Sequence, residues 1–536
     1  MRHGKMGVLF LSVVILMGLG AAPRALAEEQ PRYGGILRVA IAGDPPSLDM
    51  HQERTFKVQI PMMACYNTLM HYTPGKFPDI SCDLCTGWTV SDDRQTYTFT
   101  LHQGVKFHDG SELTAADVKA SWDKIIWPGL AYPGKLVIST HKAFYQMVDK
   151  IEAPERYTVV FRLERPAASF IPLMAHPARP IYAKKYLDQD PHYYKKHVMG
   201  TGPFKFKKYV RGSYLELERN PDYWVKGRPY LDGVKYFMIK DLSARAKSLR
   251  SDRTDVEFRW LPPATVAAIQ KQMGDRVVVA YAPIQLYYGV AINVDQKPFD
   301  DARVRKALSL AIDRYAMSKT LYPISNLRDA GGMMHPATKW ALPPEDLQQM
   351  PGFGKNHEAN LTEAKRLLAA AGYPDGFQTV LTNRAVKLPY IDFAVYLISA
   401  WQKIGVQVEQ RLLESATWIK DLRTRNFALA VDPGGAITGD PDEHLVRWTC
   451  GAPNNYGRFC DPKIDALYKQ QAREPDEAQR IAQVREIQRV IMGNPYWLQG
   501  LWLVRAEVRS ARIRGYKPNP SHWDNRRLQD VWLAEK

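Results

Sequence analysis

TYTFTLHQGVKFHDGSELTAADVKASWDKI, Thr96 to Ile125, changes its period halfway along. From Thr96 to Leu101 polar and apolar residues alternate and are mostly β-branched or aromatic, the pattern of a strand with one buried face. Asp109-Gly110 then supplies turn chemistry, because Asp hydrogen-bonds its own backbone and Gly takes positive φ without steric cost. Thr114-x-x-Asp117 follows, the spacing at which a hydroxyl and an acid satisfy each other's backbone donors at a helix start. Strand, turn and helix in this order predict an α/β chain. His108, beside the turn, reads as a packing or surface residue rather than a catalytic one.

The same alternation continues outward. Tyr157 to Leu163 (YTVVFRL) reads as a strand stopped by Pro166, and Tyr287 to Val294 (YYGVAINV) as a buried strand with a helix beginning near Asp300. In that helix Val304, Ala307, Leu308 and Ala311 share one face. Ala364, Leu367, Leu368 and Ala371 repeat the spacing, opened by Asn360-x-x-Glu363 and closed by Gly372 with Pro374 beyond. A last helix, from about Asp476 to Met492, buries Ile481, Val484, Ile487 and Ile491. Between residues 180 and 230 Tyr, Lys, Gly and Pro crowd together, which predicts loops carried on a large domain. No repeat array, coiled coil or low-complexity tail is present.

At the N-terminus Arg2 and Lys5 precede an apolar run from Gly7 to Gly20, and Ala25-Leu26-Ala27 supplies small residues for cleavage before Glu28. Residues 1–27 therefore read as a signal peptide; no Cys follows the run to carry a lipid. Its removal leaves 509 of the 536 residues and takes the formal charge from +17 to +14, through loss of Arg2, Lys5 and Arg24. No later apolar stretch is long enough to span a bilayer, so the mature chain is predicted to be soluble and exported. Its length calls for two or three domains. Lys and Arg are scattered among Asp and Glu, and no RNP-like or helix-turn-helix pattern occurs, so the basic balance reads as a solvated surface without nucleic acid as a partner.

Five cysteines are present: Cys65, Cys82, Cys85, Cys450 and Cys460. In an oxidising compartment Cys450 and Cys460 could close a small loop, worth about 3 kcal/mol in the chain-entropy model. Cys82-x-x-Cys85 admits redox, zinc or structural readings; no second C-x-x-C or paired His completes a zinc site, which puts the structural reading first.

One loop, PGGAITGDPDEH from Pro433 to His444, carries several incomplete motifs. Gly434 and Gly439 have the spacing of a phosphate loop, yet Asp440 and Pro441 stand where Lys and Ser or Thr belong. Asp440, Asp442, Glu443 and His444 lack the Asp/Asn/Gly ladder of a calcium loop and read as turn and helix-cap residues, so no metal is assigned. Gly200-Thr201-Gly202-Pro203-Phe204 lacks the third glycine of a dinucleotide fingerprint, and Pro203 removes a donor a phosphate needs. Neither G-x-S-x-G nor H-E-x-x-H occurs, which leaves an exported hydrolase as a competing class without a motif of its own. No catalytic residue and no cofactor is assigned.

Three stretches nevertheless resemble a known family. LHQGVKFHDGSELTAADVKASWDKI (Leu101 to Ile125), GTGPFKFKKYVRGSYLELERNPDYW (Gly200 to Trp224) and KPFDDARVRKALSLAIDR (Lys297 to Arg314) are similar to the solute-binding proteins of bacterial dipeptide, oligopeptide and nickel ABC importers. AAAGYPDGF (Ala369 to Phe377) and WQKIGVQVE (Trp401 to Glu409) extend the match, which runs in order from about Arg32 to the C-terminus. The resemblance implies a two-lobed α/β periplasmic binding-protein fold of type II, in its large peptide-binding subclass. Lobe I would comprise residues 28–285 plus 505–536, with a subdomain at about 63–194, and lobe II residues 286–504. It also implies a periplasmic monomer that closes on a peptide, peptide-like compound or conjugate by hinge motion and docks on the inner-membrane permease subunits, with no bond made or broken. A sensor that presents the solute to a signalling receptor would look the same in one chain.

Site residues follow from the same resemblance. Counting from Trp401-x-Lys403-Ile404-Gly405-Val406, no gap is needed back to Arg384 or forward to Gly439-Asp440-Pro441. In that register Arg384 matches the arginine that holds a dipeptide's C-terminal carboxylate; the alternative is a surface Arg in the loop TNRAVKLP. Ile437 replaces the acid that pairs with a peptide's ammonium, and Gly434 replaces the tryptophan three residues earlier, which would enlarge the pocket. A buried ammonium needs a counter-charge, so a free-amine peptide is disfavoured unless Asp432 or Asp440 supplies it. Cys450 and Cys460 fall where relatives have a disulfide near the cleft, and Asn454-Asn455-Tyr456 lies in the loop it closes. Trp418, Trp448 and Tyr456 are candidate wall residues, against the reading that large aromatics are simply packed.

Overall fold

Two strands far apart in sequence, Val277–Ile292 and Trp497–Ser510, lie side by side and antiparallel at the centre of an 11-stranded mixed sheet. The structure is a computed structural model that describes residues 29–53, 55–257, 261–436, 438–517 and 527–535. The predicted signal peptide and Ile437 lie outside these residues. On one side of the central pair Leu429–Gly435 runs antiparallel to Val277–Ile292, followed by Gln378–Arg384 and Gln407–Leu413 in parallel. On the other side come Val256–Glu257, Ile36–Ile41, Gly233–Met238, Tyr214–Arg219 and Phe204–Val210. The sheet carries 16 residues of strand from Val277, where the sequence pattern predicted only the second half from Tyr287. Pro283 explains the difference: proline inside a run argues against a strand, and here it lies beside a register shift between Pro283 and Tyr287 that a regular ladder would not contain.

The central strands approach so closely that side chains are excluded at two points. A Cβ on Gly289 would lie 2.0 Å from the Trp497 ring and 2.5 Å from the Leu498 carbonyl oxygen; one on Gly500 would lie 2.4 Å from the Tyr288 carbonyl oxygen. Glycine is the residue that permits such backbone approach.

The opening stretch folds as read. Thr96–Leu101 is a strand of a four-stranded antiparallel sheet, and Ala115–Ile126 is a helix opened by the Thr114/Asp117 capping box. His108 is a packing residue whose Nε2 lies 3.1 Å from the Gly202 carbonyl oxygen. Gly200 and Gly202 are needed against the Cys65 main chain, where a Cβ would come within 2.1 and 2.3 Å. The crowded region from 180 to 230 is more ordered than its composition predicts: Phe204–Val210 and Tyr214–Arg219 form a hairpin. Its alternation was obscured by Lys, whose stems cover apolar surface while the charge stays in water.

Helix Ala302–Leu310 buries Val304, Ala307 and Leu308, and packs on His357–Ala370. That second helix begins before the predicted Asn360 because Asn356 caps it, its side chain accepting the Ala359 N–H at 3.1 Å. Asp476 caps the last helix, Glu477–Gly493. Three large cores result: one from Tyr287 to Leu503, a second from Leu69 to Ala183, and a third from Leu37 to Val256 completed by Ile513, Leu528 and Val531 of the C-terminal segment. Cys450–Cys460 and Cys82–Cys85 are disulfides, and Cys65 is free and buried. Among the described residues no helix is long and apolar enough to cross a membrane.

Overpacking a close-packed contact costs about 1–3 kcal/mol, sometimes more. Gly289→Ala is therefore expected to lower unfolding free energy by about 2 kcal/mol or more in urea titration, whereas Gly104→Ala, which meets no atom within 4 Å but has φ 73°, should lose about 1 kcal/mol from backbone strain alone.

Candidate ligand-binding site

Strand Leu429–Gly435 leads directly into the loop that ends at helix Asp442–Leu445. Strand alternation and the turn after it put Asp432 and Gly434 on one wall of a cavity of about 230 Å³, opposite Trp418 and Ile419 of helix Ser415–Thr424. Tyr287, Glu443, His444, Arg447, Asn454 and Tyr456 complete it. Four residues expected from the sequence, Trp418, Asp432, Gly434 and Tyr456, are thus brought together. Asn454 and Tyr456 arrive from the loop closed by Cys450–Cys460, so the disulfide fixes one wall.

Arg384 stands beside this cavity. Its guanidinium lies over Trp418 and Tyr390, at 5.8 and 5.3 Å from the ring centroids, and donates to Ser415 Oγ at 2.7 Å. It forms no ion pair among the described residues. The Arg384 guanidinium therefore lies beside the cavity with donors suited to a carboxylate.

The carboxylates of the cavity are already engaged. Asp432 is 2% exposed and accepts from Arg447 Nη2 at 2.5 Å and from Trp497 Nε1 at 3.3 Å. Burial raises the Asp432 pKa above its ordinary value, and Arg447 opposes the rise. Burial alone would lower the Arg447 pKa, but the Asp432 charge outweighs it and the guanidinium is held protonated. Glu443 accepts from the Thr438 N–H and hydroxyl at 3.0 and 3.2 Å.

Asp440 lies outside this cavity. Its carboxylate takes a two-pronged hydrogen bond from Arg480, at 2.6 and 2.7 Å, and also accepts the Asp442 N–H, a turn contact, while the helix that follows is capped by Pro441 without a side-chain bond. Asp442 accepts from Ser169 and Gln471, at 2.7 and 2.8 Å. The four metal-ligand types of this loop thus face different partners. Asp440 and Arg480 line a larger crevice of about 740 Å³ between residues Tyr72–Pro172 and Lys339–Arg480. Its Arg94, Lys339, Arg473 and Arg480 are matched in number by Asp92, Asp440, Glu474 and Glu477, so its walls carry no charge preference. The smaller cavity differs in having the Arg384 guanidinium beside it without an acidic partner among the described residues.

Two expectations change. A glycine in place of tryptophan at 434 does not open space, because a Cβ there would fall 2.3 Å from the Tyr287 ring: Tyr287 fills the volume. Trp448, a candidate wall residue, is a core residue packed on Phe459 and Trp497. No motif marks Tyr287 or Arg447. The available signal was physical: an acid in the interior of a buried strand needs a counter-charge, and Arg447 follows His444 at the i, i+3 spacing of one helix face.

A comparison with family models matches residues 79–456 to the bacterial extracellular solute-binding proteins, family 5 Middle. A di/tripeptide-binding protein of Pseudomonas aeruginosa is 28% identical over 430 residues, covering 76% of this chain and 78% of the relative. A glutathione-binding protein of Pectobacterium atrosepticum is 27% identical over 438 residues, covering 77% and 79%. Among solved structures, an ABC transporter-associated periplasmic binding protein of Helicobacter pylori in complex with the peptide STSA superposes with a TM-score of 0.77 at 25% identity, covering 94% of this chain and 99% of that one.

His444 gives this site a pH signature. Burial and then the Arg447 and His335 charges lower its pKa from 6.5 to about 3. As pH falls below 6.5 the unfolded chain takes up a proton that the folded chain refuses, so stability is lost progressively down to about pH 3. His444→Gln should flatten the dependence of unfolding free energy on pH between 6 and 4 by up to about 1.4 kcal/mol per pH unit, measured by urea titration at each pH.

Proposed function

The chain belongs to the bacterial extracellular solute-binding proteins of family 5, and from that premise we propose that it is the periplasmic capture component of an ABC importer for a peptide-like solute that carries a carboxylate but no exposed amine. The observation that carries the reading is the asymmetry of charge around the cavity. Arg384, beside the cavity, has no acidic partner among the described residues, while Asp432 is paired with Arg447 and Glu443 accepts from Thr438. A carboxylate arriving at Arg384 gains charge-assisted hydrogen bonds; an ammonium finds Asp432 already paired with Arg447.

Size points the same way. A cavity of about 230 Å³ is below the roughly 300–1,000 Å³ of pockets that enclose a whole drug-sized ligand, so it takes one end of the solute. Relatives named for di/tripeptides and for glutathione supply the ligand class.

In this reading residues 28–285 plus 505–536 form lobe I, with its subdomain at about 63–194, and residues 286–504 form lobe II. The two central strands are the crossovers. Their ladder shifts register between Pro283 and Tyr287 and again before Gly289, where bending disrupts the fewest regular bonds. The loaded, monomeric form would dock on two permease subunits.

Removing a charged hydrogen-bond donor costs about 1.5–3 kcal/mol. Arg384→Gln is accordingly expected to weaken binding of N-acetyl-alanyl-alanine roughly ten- to a hundredfold by isothermal titration calorimetry. Wild-type protein that binds alanyl-alanine more tightly than its acetylated form would overturn the reading.

A further inference from the structure

We infer that Arg447 is a specificity-determining residue, which holds with its own guanidinium the place at Asp432 that a ligand's ammonium would otherwise take. The inference rests on the proposed carboxylate-bearing solute and extends it to the group that excludes amines. Asp432 lies in the wall of the cavity, at the centre of strand Leu429–Gly435. In that position a carboxylate without a counter-charge would be costly, and either a protein cation or a ligand cation can supply it. Arg447 does so from the turn Val446–Trp448, which directly follows helix Asp442–Leu445.

The manner of the pairing separates it from a structural brace. Arg480 grips Asp440 with two parallel hydrogen bonds, the geometry suited to a planar guanidinium. Arg447 meets Asp432 through a single nitrogen, Nη2, and its Nε has no hydrogen-bond partner although the residue is only 7% exposed. The guanidinium is held instead by its surroundings: it lies 4.7 Å from the Trp448 ring centroid and donates weakly to the Asn454 carbonyl at 3.4 Å. All of Tyr287, Asp432, Arg447 and Asn454 line the cavity. A buried ion pair contributes little to stability relative to an apolar pair of the same shape. Its consequence here is selective: an ammonium cannot reach Asp432 without displacing Arg447, and two cations cannot share that carboxylate.

The test measures the ratio of affinities for alanyl-alanine and N-acetyl-alanyl-alanine by titration calorimetry at pH 7, with thermal melts to confirm folding. Wild-type protein should prefer the acetylated form at least tenfold. Arg447→Met, which keeps the length and removes the charge, should shift that ratio at least tenfold toward the free amine, while Arg447→Lys should retain the wild-type preference. Should Arg447→Met fail to fold, the double variant Asp432→Asn with Arg447→Met removes both charges and should bring the ratio within about threefold of one. A folded Arg447→Met protein with the wild-type ratio, or a double variant that still prefers the acetylated form tenfold, overturns this inference alone. Wild-type protein that binds neither compound overturns the functional reading, and this inference with it.

Discussion

The molecule is organised by the approach of two backbones. Val277–Ile292 and Trp497–Ser510 can run side by side only because Gly289 and Gly500 leave no side chain between them. The strands on one flank belong to the core from Tyr287 to Leu503, and those on the other to the core completed by the C-terminal segment. Residues more than two hundred positions apart are thereby held at strand spacing, and the cavity inherits that precision. Tyr287, from one central strand, packs edge-on against Trp497 and Trp502, from the other. Its ring is the floor beneath Gly434, so cavity shape follows from central pairing.

Charge placement around the cavity divides into two kinds. Arg480 with Asp440 is a closed, two-pronged pair that fixes the loop to the last helix, Glu477–Gly493. Arg384 is a cation held in place by aromatic and hydroxyl groups rather than by an acid. An arginine laid over aromatic rings keeps its orientation without having its charge cancelled. An arginine so held needs little reorganisation to meet an anionic partner.

Local order was readable wherever neighbouring residues decide it. The strand Thr96–Leu101, the capping box at Thr114 and Asp117, and the apolar face of Val304, Ala307 and Leu308 depend on interactions within a few positions. The strand from Val277 was half hidden by Pro283, and the hairpin Phe204–Arg219 by its lysines, because both signals are overridden by packing across the sheet. At the site, the sequence named Trp418, Asp432, Gly434 and Tyr456, which the fold brings to one cavity. The pairing of Asp432 with Arg447 and the filling of the space beside Gly434 by Tyr287 were not legible in it. Each joins residues brought together only by the finished fold, and spacing along the chain carries no trace of it.

The loop from Pro433 to His444 touches its surroundings through Gly439 in a particular way. The Gly439 N–H donates to the Tyr72 hydroxyl at 3.2 Å, and its carbonyl accepts from Trp340 Nε1 at 3.0 Å. Both bonds belong to the Gly439 main chain, and a Cβ at this position would press within 2.7 Å of Pro78. Side chains a few residues earlier in the same loop can therefore change while these contacts persist. The attachment of this loop is thus set by backbone groups rather than by the side chains that precede them.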